Sequence, residues 1–143
     1  MLDLGALEAR LRRAGLRVTQ PRLGVLLVLE RARSDQAHLS VAETVERTRE
    51  IVAGLSPQTV YRCLDALVSA GLARRVDLPG APARFETGGD HHDHLVCDRC
   101  GSITNVARTE PAGERLEVAE RHRFQVLQTE VVFHGLCAAC STA

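Results

Sequence analysis

The chain has 143 residues, is 45% hydrophobic and is formally neutral, its 18 acids balanced by 18 arginines with no lysine. That length allows one large domain or two small ones, with enough apolar content for a packed core. No apolar run approaches the roughly twenty residues of a membrane span, and the acid-bearing N-terminus lacks the cleavage site of a signal peptide. A cytoplasmic protein with no membrane partner is therefore expected. The neutrality hides an asymmetry: residues 1–85 hold thirteen Arg against nine acids, residues 86–143 five Arg against nine acids. Five of the six histidines lie in the second part. A basic first half suits an anionic partner, and an acidic, His/Cys-rich second half suits a cation.

Leu4, Leu7 and Leu11 recur at helical spacing and Gly15 is a natural stop. Thr19 precedes a second helical run, "QPRLGVLLVLERA", with Pro21 tolerated in the first turn. Ser40 and Glu43 form a capping-box signature for a third helix, "VAETVERTREIVAG". Ser56-Pro57 opens a fourth, "PQTVYRCLDALVSAG", closed by Gly71. Two short extended runs follow, "LARRV" and "ARFE", joined through Pro79-Gly80. Periodicity alone leaves two readings open, a winged helix-turn-helix or a generic helical domain with a hairpin. After "TGGD" the order is strand, strand, helix, strand, through "HLVC", "SITNV", "GERLEVAERHR" and "FQVLQTEVVFHGLC". The expected class is α+β, with a first domain over residues 1–86 and a second over 87–143.

Cys97-Asp-Arg-Cys100 and Cys137-Ala-Ala-Cys140 are two CxxC knuckles, each at or just after a strand. Two such pairs complete a closed tetrahedron of thiolates around Zn²⁺, with no position left for water, so the site is structural. Redox-active dithiols are the alternative. The fifth cysteine, Cys63, falls on the apolar face of its helix and reads as a small hydrophobe.

His92 and His94 alternate in an extended run and share one face; His91 and Asp93 take the other. Two imidazoles on one face need further donors to hold a divalent first-row metal. Glu86, at the junction of the two domains, is placed to supply one. His122 at a helix end and His134 near the second knuckle have no evident partner and read as structural.

Taken together, "AGLRVTQPRLGVL", "SPQTVYRCLDAL", "ARFE", "HHDHLVCDRCG" and "GLCAAC" resemble the ferric uptake regulator family of metal-dependent repressors, in order and spacing over almost the whole chain. The resemblance implies an N-terminal winged helix, a C-terminal α/β dimerisation domain, and a homodimer. It implies structural Zn²⁺ on Cys97, Cys100, Cys137 and Cys140, and a regulatory metal on His38, Glu86, His92 and His94. At the position of the family's fifth ligand, an acid, this chain has Asn105, a neutral and weaker donor. A further family site matches His91 and Asp93, but its later partners fall at Ala112 and Thr129, with Glu110 or Glu114 as substitutes. "RVTQPR", "PARFE" and "EVVFHGLCAACS" look most like the actinobacterial iron- and peroxide-responsive branch, and Glu86 stands where zinc-sensing relatives tend to carry Cys.

For DNA, residues at the start of a recognition helix meet base edges while flanking groups fix phosphates. Ser56, Gln58, Thr59, Tyr61 and Arg62 occupy that first turn and a half. Tyr61 suits a thymine methyl, and Arg62 suits guanine or phosphate. Arg17, Arg22, Arg74 and Arg75 are candidate backbone contacts. The expected protein is a repressor that binds a palindromic operator in double-stranded DNA and senses Fe²⁺ or Mn²⁺, and through them peroxide. It is not an enzyme and takes no small-molecule substrate. A zinc- or nickel-responsive regulator and a structural-zinc interaction module are the alternatives.

Overall fold

Leu7 and Leu11, one helical turn apart, are the residues that α1 (Leu4–Arg13) buries, and Asp3 caps it by accepting the Gly5 N–H at 2.9 Å. In α2 (Gln20–Ser34) the Thr19 hydroxyl accepts the Arg22 N–H, and Val25, Leu26 and Leu29 face inward. The Ser40–Glu43 capping box is present at the start of α3 (Val41–Arg49), with both reciprocal bonds made. Ser56 caps α4 (Pro57–Ser69), whose apolar stripe is Val60, Cys63, Leu64 and Leu67. Gly71 ends it in the left-handed region (φ +74°), so that the Leu72 N–H closes back on the Leu67 carbonyl at 2.9 Å.

The computed structural model describes residues 2–78, 80–88, 92–107, 113–126 and 131–142, without the side chains of 113–116. The chain divides into two units, Met1–Gly89 and Asp90–Ala143. In the first, the four helices pack on a small antiparallel sheet of order β1-β3-β2, made of β1 (Leu39–Ser40), β2 (Arg74–Val76) and β3 (Arg84–Glu86). Phe85 of β3 is almost fully buried beneath the helices. Residue Pro79, expected in the β2–β3 turn, lies outside the described residues.

Two details differ from the sequence reading. The third helix stops at Arg49 instead of running to 54. The N–H groups of Ile51 and Val52 both turn onto the Thr48 carbonyl, and Arg49 Nε donates to the Leu55 carbonyl at 2.8 Å, so the chain is drawn back to bury Leu55. Strand β1 was not expected at all, because two residues carry no periodicity.

The second unit holds a three-stranded sheet of order β5-β4-β6, built from β4 (His92–Cys97), β5 (Ile103–Ala107) and β6 (Val132–Gly135). β4 is central, antiparallel to β5 and parallel to β6. Helix α5 (Gly113–Arg121) lies between β5 and β6 in the chain, as parallel pairing requires of a crossover, and a short α6 (Ala138–Ser141) follows. The architecture is the expected mixture of a helical winged unit and a small α/β unit. No helix among the described residues is long and apolar enough to cross a membrane.

Candidate metal centre

The register of β1 decides where His38 stands. Leu39 pairs with Phe85 and Ser40 with Arg84, so the next antiparallel pair outward is His38 with Glu86. Directly opposed side chains share a face at about 5 Å, and His38 Nε2 lies 2.7 Å from Glu86 Oε2 with both side chains almost fully buried. The His38 carbonyl is held as well, by Arg84 Nη1 at 3.1 Å. An imidazole and a carboxylate 48 residues apart in sequence thus form one buried nitrogen–oxygen donor pair in the first unit.

The second unit holds a donor pair of its own. On β4, His92 and His94 point to one face, their rings 4.9 Å apart and nearly perpendicular. His94 is 0% exposed. Across the ladder, His94 is registered with Asn105 on β5. Asn105 Oδ1 is buried and accepts no hydrogen bond among the described residues. A buried amide oxygen left in this state costs stability, and an acceptor opposite two imidazoles suits a cation. Asp93 takes the opposite face of β4. It sits in the central strand and is 9% exposed. His91, Glu110, Ala112, Thr129 and the Glu114 side chain lie outside the described residues, so the structure assembles no further site around Asp93 among those it describes.

The four knuckle cysteines converge. Cys97 ends β4, Cys100 closes the turn after it, Cys137 caps α6 and Cys140 lies within α6. The parallel β4–β6 pairing brings the two knuckles side by side, reinforced by Asp98 N–H to the Gly135 carbonyl at 2.8 Å and Arg99 Nη1 to the Cys140 carbonyl at 2.8 Å. All four sulfurs lie within 4.8 Å of one another, and Cys100 Sγ is 3.8 Å from Cys137 Sγ. Four sulfurs at about 2.3 Å from one tetrahedral ion stand about 3.8 Å apart, so the cluster fits zinc. None of the five cysteines is in a disulfide. Gly101, at φ +74°, lets the turn close with its N–H on the Cys97 carbonyl.

The thiols are poised for a cation. Backbone N–H groups of Cys100 and then Cys137 pull the Cys97 thiol down to about 6. The Ser102 hydroxyl, 3.3 Å away, lowers that of Cys100. Cys140, paired with the Cys137 sulfur and crowded by the other sulfurs, is pushed up to about 12. Packing a fourth negative sulfur beside three others is what a dication offsets.

The sequence reading gave His134 no partner. The structure supplies one: its Nδ1 lies 2.9 Å from Asp98 Oδ1, bracing the knuckle turn against β6. His122 is exposed just past α5, and Cys63 is buried with its thiol pushed up by that burial.

The DNA candidates separate into two groups. On α4, Gln58, Tyr61 and Arg62 are exposed along one face, opposite the buried stripe, and Tyr61 is 44% exposed. Arg17 is exposed and Arg74 half-buried. The rest are engaged within the protein. Ser56 and Thr59 share the capping hydrogen bonds, and Arg22 donates to the Arg17 carbonyl with its Nε buried. Arg75 is held by Asp77 at 2.9 Å and lies beside the Tyr61 phenol.

The model of the ferric uptake regulator family matches residues 13–134. Ferric uptake regulation protein 2 of Mycolicibacterium fortuitum is 39% identical over 143 aligned positions, covering 95% of this chain and 93% of the relative. The structure of the ferric uptake regulator from Pseudomonas aeruginosa with manganese superposes with a TM-score of 0.74 at 30% identity, covering 92% and 97% of the two chains. That of the Helicobacter pylori regulator, described with three functional metal binding sites, gives 0.77 at 25% identity, covering 98% and 95%. With that match over most of its length, two donor pairs and a four-sulfur cluster, this chain belongs to the ferric uptake regulator family of metal-responsive transcriptional regulators.

Proposed function

We propose that this protein is a homodimeric, metal-dependent repressor that binds a palindromic operator and senses Fe²⁺ or Mn²⁺. The observation that carries the reading is the buried His38–Glu86 pair at 2.7 Å, which has a counterpart in His92 and His94 of the second unit. Together the four residues supply the nitrogen and oxygen donors of a single first-row site, a set that suits Fe²⁺ or Mn²⁺ better than a thiolate-selecting ion. Asn105 adds a neutral oxygen through its buried Oδ1. The site therefore carries one negative charge fewer than one completed by an acid, and holds its ion less tightly. Cys97, Cys100, Cys137 and Cys140 form the separate structural zinc site.

A divalent ion in the first site supplies charge and directional bonds that tie the two donor pairs together. The chain's part is to bring one pair from each unit, so that occupancy fixes the angle between the units. In a dimer this sets the spacing of the two α4 helices to successive half-sites. Gln58, Tyr61 and Arg62 read the operator, with Arg17 and Arg74 on phosphates. The second copy is expected on the sheet of the second unit, where Leu95 and Phe133 are registered neighbours and both about half exposed.

The test is an operator titration on dimer whose metal content is known, with Fe²⁺, Mn²⁺, Zn²⁺ and Ni²⁺ added in turn after mild chelation. The expected result is two metals per chain, one of them removable, with operator affinity restored by Fe²⁺ or Mn²⁺. Affinity indifferent to chelation sinks the sensor reading, and restoration by Zn²⁺ or Ni²⁺ alone changes the sensed ion. Peroxide sensing is tested in the same preparation. Oxygen added to peptides containing His38 or His92, after Fe²⁺ and peroxide, supports it, and unmodified peptides remove it.

A further inference from the structure

We propose that Arg84 is a positioning residue for the metal ligand His38, and that Glu43 anchors it; the inference rests on His38 serving as a ligand. His38 is held at two points by the same strand. Glu86 of β3 meets its imidazole, and Arg84, two residues earlier on β3, donates from Nη1 to its carbonyl at 3.1 Å. The same Nη1 lies 3.5 Å from Glu43 Oε2. That oxygen also accepts the Ser40 N–H at 2.7 Å, closing the capping box of α3. Arg84 is thus shared between the ligand's backbone and the first turn of a helix-turn-helix element.

The need for such a clamp follows from β1, which is only two residues long. A two-residue strand makes too few ladder bonds to fix the residue ahead of it. Without Arg84, the His38 carbonyl loses its donor and the imidazole must be ordered when the metal binds, which lowers affinity. The guanidinium is suited to the task because it presents several donors in a fixed fork. Its charge is offset locally by Glu43, whose carboxyl is held below its usual range first by the Ser40 N–H and then, after its side chain, by Arg84. The clamp thereby secures the ligand without leaving an uncompensated cation beside a cation site.

The test uses the full-length dimer with zinc in its thiolate site, titrated with Mn²⁺ against a competing chelator at 0.5 M NaCl. At that ionic strength charges beyond about 4 Å are screened, so that loss of the Arg84 charge itself contributes little. Arg84→Gln is expected to weaken Mn²⁺ binding about tenfold, the scale of one lost partly buried hydrogen bond to a charged donor. Glu43→Gln, which keeps the capping geometry, weakens it less, and Arg84→Lys recovers most of the loss. Zinc content stays at the wild-type value in all three variants, and the melting midpoint does so in Arg84→Gln and Arg84→Lys. Mn²⁺ affinity within twofold of wild type in Arg84→Gln overturns the clamp. So does a loss that Arg84→Lys fails to recover and that tracks the melting midpoint, since that marks a purely structural role. A wild-type dimer with no exchangeable Mn²⁺ site fails differently, because it removes the sensor reading and the clamp with it.

Discussion

The two units are held together by different physics. Met1–Gly89 buries Leu7, Leu11, Leu26, Leu29, Leu64 and Phe85 in a continuous apolar core. Among the described residues, Asp90–Ala143 buries only Val96 and Cys97 as apolar side chains, while Leu95, Val118, Phe124, Phe133 and Leu136 stay exposed. A unit of that size has little interior to fold on, and such units lean on metals or on association. The lesson is a division of labour. The first unit is stabilised by burial and keeps an exposed polar face on α4; the second brings four sulfurs together and leaves apolar side chains exposed on its sheet, the face proposed above for a partner copy.

The largest effect is expected from breaking the second unit's tie. Cys137→Ser should abolish zinc retention and unfold Asp90–Ala143, since structural zinc sites contribute on the order of 10 kcal/mol to folding. Amide NMR resonances of the first unit should persist. A zinc-free second unit that keeps its dispersion would break the comparison. The converse change is Leu64→Ala, at a position with no solvent exposure. It should cost the first unit about 2–5 kcal/mol, read as a lower melting midpoint with zinc content unchanged.

Arg62→Ala should separate recognition from folding. It is expected to weaken operator binding by about 1–3 kcal/mol and leave both melting and zinc alone; a parallel loss of stability would place Arg62 in the fold instead. The smallest effect is at the α3 cap. Ser40→Ala should cost about 1 kcal/mol. Because the folded state lowers the Glu43 pKa, the carboxylate's contribution is complete above its unfolded value and is lost as pH falls through the folded one. Wild type and Glu43→Gln should therefore differ in stability at neutral pH and converge in acid, as urea titrations across that range would show.

Much of this was legible in the residues. The caps at Thr19, Ser40 and Ser56 and the stop at Gly71 are local chemistry, and each is present where its side chain predicts. Strand parity likewise places His92 and His94 on one face, as their rings show. Other features were not legible, and for a common reason. The His134–Asp98 pair and the burial of Asp93 both depend on a chain segment arriving from elsewhere. Arg22 and Arg75 look in sequence like any surface arginine, yet the fold engages one with a backbone carbonyl and the other with Asp77.

By itself, then, the sequence determined the kinds of donors, their spacing within each knuckle and along β4, and the helices with their N-terminal caps. All of these are set by interactions spanning a few residues. The tertiary structure alone decided that His38 meets Glu86 and that four sulfurs share one point. The first depends on the register of a two-residue strand, and the second on the parallel pairing of β4 with β6. Such pairings close long loops, and their gain comes from burial and ladder bonds that exist only once the sheets have formed.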